Sequence, residues 1–288
     1  MAKIKDLFEK GKAVFSFEIF PPKRNDSIDT IYETVEQLYT LNPDFISVTY
    51  GASGKLADNS TCEIASFIKK EYGLESAAHL TCVNSSREEI DVMLERLAEN
   101  GIDNILALRG DIVPDVPRKY DFAHASDLIT YIKSKDYDFG ISGACYPEGH
   151  PNSVSVVEDI LNLKKKVDGG AEHLVSQLFF ENEMFYEFLD KARIAGITVP
   201  IEAGIMPVTN RKQIERMVSL CGASRPSKFT KMMQRYEHKP EAMRDAGIAY
   251  ATNQIVDLLS HGVDGIHLYT MNYPYVAKRI SQNVQTLF

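Results

Sequence analysis

Short runs rich in β-branched and aromatic residues alternate with longer amphipathic stretches along almost the whole chain. The strand-like runs are VFSFEIF (14–20), DFISVTY (44–50), ESAAHLTC (75–82), NILALRG (104–110), DFGISGACYP (138–147), HLVSQLF (173–179), VPIEAGIMP (199–207) and GIHLYTMN (265–272), eight in all. Helical patterns lie between them. Residues 27–41 put Ile28, Ile31, Val35 and Leu38 on one face. Residues 86–100 open with Ser86 and Glu89 at capping-box spacing and stop at Gly101. Residues 153–168 and 182–195 follow the same pattern, and Asn100-Gly101 and Gly169-Gly170 mark returns to strand. The longest connection, 208–264, predicts two helices split near Pro240.

Eight βα units without a Gly-rich dinucleotide fingerprint predict a closed (β/α)8 TIM barrel, with an open doubly wound sheet as the alternative. No linker, low-complexity tract or short repeat interrupts the pattern, so residues 1–288 are expected to form one catalytic barrel domain.

In a barrel strand, one face meets the helices and the other points into the barrel. Phe15, Phe17 and Ile19 then face outward, and Ser16 and Glu18 inward. The same reading turns inward Ser47 and Thr49, His79 and Thr81, Ser142, Ala144 and Tyr146, Gln177, and His267 and Tyr269. In NILALRGD, Leu106 and Leu108 are expected outward, which groups Ala107, Arg109 and Asp111 inside. Glu18, Thr49, His79, Arg109, Asp111, Tyr146, Gln177 and Tyr269 come late in their strands and should converge on the C-terminal rim, where barrel enzymes work. Taken singly, an inward Gln, Thr or His is often only a satisfied structural residue, and Arg109 with Asp111 could be a loop ion pair. Glu18 is harder to dismiss. Burying a carboxylate among Phe15, Phe17, Ile19 and Phe20 is costly, and an apolar setting would raise its pKa and suit it to acid catalysis.

Composition narrows the function. With 44% hydrophobic and 25% charged residues the chain can bury a sizeable core. Acidic residues outnumber basic ones 40 to 32, for a net charge of -8, and no basic stripe overcomes the repulsion of a phosphate backbone, so nucleic acid is not an expected partner. The four cysteines show no CxxC or zinc spacing, and Cys82 and Cys145 read as small buried hydrophobes. MAKIKDLFEKGK lacks the apolar core of a signal peptide, and no run of about 18 apolar residues spans a bilayer. A cytoplasmic protein without a membrane partner is expected. There is no HxH, HExxH, P-loop, GxSxG or GxGxxG, and Lys164, Lys165 and Lys166 lie on a helix, away from a Schiff-base position. Acid–base or redox chemistry with a bound organic cofactor, and no metal, fits what remains.

The segments FEIFPPK (17–23), VTYGA (48–52), HLTC (79–82), LALRGD (106–111), YPEGHP (146–151), DILNLKKKVDGGA (159–171), SQLFF (176–180), GIMP (204–207) and HLYTMN (267–272) resemble, in order and across the whole chain, the methylenetetrahydrofolate reductase family. The resemblance implies a (β/α)8 barrel holding FAD non-covalently. NADH or NADPH reduces the flavin and leaves. Then 5,10-methylenetetrahydrofolate enters the same place and is reduced to 5-methyltetrahydrofolate, a methyl source for methionine synthesis. Glu18 matches the family's general acid, which protonates the folate N10. Asp111 matches the Asp near flavin and pterin. Tyr50, Ala52, His79, Arg109, Gly110, Ala125, Tyr146, His150, Ser153, Asp159, Asn162, Lys165 and Lys166 match flavin-contacting positions, the two lysines as cations for the pyrophosphate. Thr49, Gln177, Gln213 and Tyr269 match positions serving folate or nicotinamide. A homo-oligomer is expected on the same ground.

Three positions depart from the pattern. Tyr273 stands where an arginine would meet the folate's glutamate tail, with Arg225, Lys228 and Arg235 as candidate substitutes; His124 replaces a flavin-side Tyr; Met217 replaces a nicotinamide-packing Phe. The end at Phe288 leads one to expect no C-terminal regulatory domain. The competing readings are a flavin-free pterin-binding barrel transferase or lyase, which would need no cationic helix over 159–166, and a non-catalytic barrel scaffold, which would not need Glu18, Asp111 and Gln177.

Overall fold

The computed structural model describes residues 3–8, 12–22, 26–50, 59–112 and 119–288. Eight parallel strands close into a barrel in chain order: β1 (Val14–Ile19), β2 (Phe45–Val48), β3 (Glu75–Thr81), β4 (Asn104–Leu108), β5 (Gly140–Cys145), β6 (His173–Ser176), β7 (Ile201–Ile205) and β8 (Gly265–Tyr269). The surrounding helices are α1 (Asp29–Tyr39), α2 (Ser60–Tyr72), α3 (Arg87–Glu99), α4 (Ala125–Lys133), α5 (Val156–Asp168), α6 (Asn182–Ile194), α7 (Arg211–Cys221), α8 (Ser227–Tyr236), α9 (Pro240–Ser260) and α10 (Pro274–Val284). The expected (β/α)8 barrel is the fold.

Local chemistry sets several boundaries. The predicted capping box opens α3: Ser86 Oγ accepts from the Glu89 amide at 3.3 Å, and Glu89 Oε2 accepts from the Ser86 amide at 2.7 Å. Between β7 and β8 the two expected helices are three. Gly222, at φ 72°, ends α7 in the left-handed region, and Pro226 precedes α8. Pro240 begins α9, where its missing N–H costs nothing.

Most of the core lies between strands and helices. Phe17, Ile19, Ile46, Val48, Ile266 and Leu268 pack outward against residues such as Val35, Leu38, Ile64, Leu94, Ile255 and Ile280. Burying a Leu, Ile or Phe side chain contributes about 1.5–3 kcal/mol each, so this layer carries the fold. A second, smaller cluster of Ile4, Val14, Phe45 and Ala77, with Leu7 and Phe8 against it, packs apart from that layer.

One expected orientation is reversed. In β4, Ile105 and Ala107 join the helix-facing core, and Leu106 stands in register with inward His79 and Ser142. Every residue of ILAL is apolar, so the alternation carried no contrast to read. Arg109, Gly110 and Asp111 follow the strand end and are freed from its alternation.

Candidate active site

Glu18 is the next-to-last residue of β1, and only 8% of its surface is exposed. Its backbone is held from the neighbouring strand: the Thr270 hydroxyl donates to the Glu18 carbonyl at 2.6 Å, as does the Thr270 amide at 3.3 Å. Asn272 locks the same exit, accepting from the Phe20 amide and donating to the Phe20 carbonyl, both at 2.8 Å. The side chain does not sit in the apolar setting expected. Phe15, Phe17 and Ile19 point to the helices, because sequence neighbours on a strand face opposite ways. Across from the Glu18 carboxylate stand two imidazoles, His79 Nε2 at 3.6 Å and His267 Nε2 at 3.8 Å.

Burial drives the His79 pKa down to about 4, against an opposing pull from Glu18, so the ring is neutral at physiological pH. Among the described residues its buried Nε2 has no hydrogen-bond partner. Tyr269, in register with Glu18, donates to the Ser176 carbonyl at 2.6 Å, and burial holds its phenol protonated well above the usual range. Gly204 makes room for that ring: a Cβ there would lie 2.7 Å from the Tyr269 hydroxyl.

Beside this rim, between the C-terminal ends of β4 and β5 and helices α4 and α5, runs a cleft of about 370 Å³. Arg109, Ala125, Tyr146, His150, Ser153, Asp159, Asn162, Lys165 and Lys166 all line it, together with His124. Ser155 caps α5 by accepting from the Glu158 amide at 3.2 Å, and Ser153 donates to Asp159 at 2.9 Å, which fixes one of the acids lining the cleft. Lys165 is exposed and reaches Asn162 at 3.0 Å. The Lys166 amine turns inward instead, donating to the Ala144 carbonyl at 2.8 Å, and burial lowers its pKa. Burial also raises Tyr146 to about 12 and lowers His150, the latter with help from the Arg109 charge. Gly110, at φ 79°, brings the backbone against Thr81; a Cβ there would meet the Thr81 Cβ at 2.8 Å, which only glycine avoids.

The remaining sequence-predicted residues lie outside this cleft lining. Thr49 and Tyr50 follow β2 half-buried, Gln177 follows β6, and Asp111 is exposed beyond β4, near enough to help raise Tyr146. Gln213 is the third residue of α7, its amide capped by Asn210 at 3.1 Å. Ala52 is outside the described residues. Cys82 and Cys145 are buried, and desolvation pushes both thiols up to about 12, so they are inert hydrophobes. Among the described residues no cluster of His, Cys, Asp or Glu is arranged to hold a metal ion, and no helix is long and apolar enough to cross a membrane.

Several polar residues escape the sequence reading. Asn272 clamps Phe20, and Glu148 accepts two bonds from the Ser224 amide at 2.9 and 3.1 Å, tying the α7–α8 link to the cleft. Glu202, fully buried in β7, carries the signal that marks Glu18, an acid alternating with apolar residues in IEAGI.

A family model described as methylenetetrahydrofolate reductase matches residues 3–285. The chain belongs to that family. It is 38% identical to the 5,10-methylenetetrahydrofolate reductase of Escherichia coli K12, over 91% of this chain and 88% of that protein. It is 40% identical to methylenetetrahydrofolate reductase (NADH) 1 of Arabidopsis thaliana, over 98% of this chain and 50% of that protein. The chain thus spans about half the length of the plant relatives it matches. Among solved structures, a Clostridium thermocellum protein described as binding two copies of 5-methyl-5,6,7,8-tetrahydrofolic acid shares the fold, with a TM-score of 0.70 and 16% identity over 96% of this chain and 94% of that one.

Proposed function

We propose that this chain reduces 5,10-methylenetetrahydrofolate to 5-methyltetrahydrofolate with FAD bound in the cleft and NADH or NADPH as electron donor. The observation that carries the proposal is a clamped, buried carboxylate, Glu18, at the barrel rim beside a cleft whose donor set suits a flavin dinucleotide. Arg109 and Lys165 are cations for a diphosphate, and Asp159 and Asn162 suit ribityl or ribose hydroxyls. Lys166, held by the Ala144 carbonyl, shapes the wall and leaves the exposed charge to Lys165. His79 and Tyr146 offer neutral polar edges to a ring system, with Tyr50, Ala52, Gly110, Ala125, His150 and Ser153 completing the surround. FAD bound there would supply hydride transfer between the nicotinamide and the folate.

The chain's own residues do the rest. Glu18 gives its proton to the folate N10, which opens the five-membered ring to an electrophilic iminium. Asp111 places a negative charge at the rim, and Thr49, Gln177, Gln213 and Tyr269 orient the folate and nicotinamide that share the site. The product would supply methyl groups for methionine synthesis. A homo-oligomer in the cytoplasm completes the reading, which treats residues 1–288 as one catalytic domain.

The test is the visible spectrum of the purified protein under anaerobic conditions. A flavin band that bleaches with NADH, or with NADPH if NADH fails, and returns on adding methylenetetrahydrofolate is the expected result. In Glu18→Gln bleaching should persist while the return slows by about 10²-fold or more, the usual contribution of a general acid. A protein that takes up no FAD would sink the proposal.

A further inference from the structure

Behind Glu18 a file of polar groups runs down the barrel axis, and the reaction as derived makes no use of it. Glu202 is 0% exposed, as are Ser16 and His267, and His173 is 1% exposed. A carboxylate so deep is costly unless its oxygens are matched. Ser16 matches one of them, donating to Glu202 Oε1 at 2.7 Å. Among the described residues Oε2 has no hydrogen-bond partner, and His173 Nε2 lies 3.1 Å from it as an ion-pair contact. His173 Nδ1 in turn meets the Ser142 hydroxyl at 2.9 Å.

The direction of these bonds fixes a tautomer. A serine hydroxyl has one hydrogen, and Ser16 spends it on Glu202. Its oxygen also sits 2.6 Å from His267 Nδ1, so that contact needs its hydrogen from the ring. In its neutral form the His267 ring therefore carries its proton on Nδ1. Its Nε2 then presents a lone pair to the two groups it faces, the Ser47 hydroxyl at 3.3 Å and Glu18 Oε2 at 3.8 Å. A lone pair favours a protonated carboxyl opposite it, whereas an N–H would favour the carboxylate. The other titratable groups facing this pair are His79 across from Glu18, Tyr269 edge-on to His267 at 5.5 Å, and Glu202 Oε2 at 3.9 Å from His267 Nδ1.

We infer that Ser16 and Glu202 are positioning residues for Glu18: through His267 they hold an unprotonated ring nitrogen toward its carboxyl and so keep the acid protonated until the folate arrives. This rests on the reduction proposed above, but its first test does not. In protein labelled with ¹⁵N-histidine, the His267 resonances, assigned by their loss in His267→Asn, should report the Nδ1–H tautomer; a wild-type Nε2–H tautomer would overturn the inference whatever the protein's substrate. Ser16→Ala should mix or invert the tautomers, and Ser16→Thr, which keeps the hydroxyl, should restore them. In the folate half-reaction, Ser16→Ala should move the limb on which activity falls with rising pH toward acid by about one unit, a roughly tenfold loss above it, while flavin bleaching by NADH keeps its rate. An unshifted limb in a folded Ser16→Ala protein would overturn the link to Glu18. A wild type that bleaches with neither nucleotide would instead sink the reductase proposal and leave the tautomer result standing.

Discussion

Beyond the C-terminal end of β8, the guanidinium of Arg244 lies 4.7 Å from the Tyr275 ring centroid and has Asp245 and Tyr273 as polar partners. Tyr273 occupies the place where the family resemblance leads one to expect an arginine for the folate's glutamate tail. Of the substitutes read from the sequence, Arg225 lies 3.9 Å from Glu215, and Lys228 lines a different pocket with Glu181, Glu183 and Asp257. Arg244, by contrast, is next to Tyr273 itself, and no sequence pattern marks it, because α9 reaches the rim only through the fold. Arg244→Ala is expected to raise KM for methylenetetrahydrofolate by roughly five- to tenfold, about 1–1.4 kcal/mol, with kcat little changed, since a tail contact binds ground and transition states alike. Steady-state kinetics on mono- and polyglutamyl substrates decide it, and an unchanged KM for both would put the tail elsewhere. The contrast with Glu18 shows what a sequence reveals at this scale. An acid among aromatics is visible at once, but its true neighbours, His79 and His267, come from other strands and cannot be read locally.

At the scale of elements, the strands and caps follow from local chemistry, whereas close approaches between elements do not. Gly247, inside α9, looks like a helix weakness worth about 1 kcal/mol relative to alanine. In the folded protein a Cβ there would lie 1.8 Å from the Val208 carbonyl oxygen and 2.7 Å from its carbon. α9 therefore lies directly on the segment between β7 and α7, the segment that leads to Gln213. Backbone atoms cannot rotate away as a side chain could. Gly247→Ala should thus lose stability despite its better helix propensity, by about 2 kcal/mol, since overpacking costs typically 1–3 kcal/mol. Urea unfolding midpoints measure the change, and a gain in stability would mean that α9 stands off from the barrel. The same gap between local and tertiary signals explains the extra helix break at Gly222. That glycine packs against Pro151, where a Cβ would meet the Pro151 Cγ at 3.2 Å, a partner 71 positions away in a separate part of the pattern. It explains β4 as well, where the apolar run ILAL left the choice of face to its neighbours His79 and Ser142.

For the whole molecule, closing eight strands around buried titratable groups links the fold to pH. His79 is the clearest case, because burial lowers its pKa from 6.5 to about 4. Between those values the unfolded chain binds a proton that the folded barrel refuses, so stability rises with pH across the window. The contribution is fully present above about pH 6.5 and is lost as pH falls toward 4. A shift of this size corresponds to roughly 3 kcal/mol. Acid also protonates paired carboxylates elsewhere, so the wild-type curve alone does not isolate the ring. His79→Gln keeps a polar side chain of similar reach but cannot titrate. Denaturation midpoints of the two proteins, each saturated with the same cofactor, should converge as pH drops from 7.5 to 5, because only the wild type loses the histidine contribution. Parallel curves would mean that the ring takes up its proton inside the barrel without penalty. In that event the imidazolium would face Glu18 at 3.6 Å as a cation, and the rim would hold its acid as a carboxylate, which is the opposite of what the proposed proton donation to the folate requires.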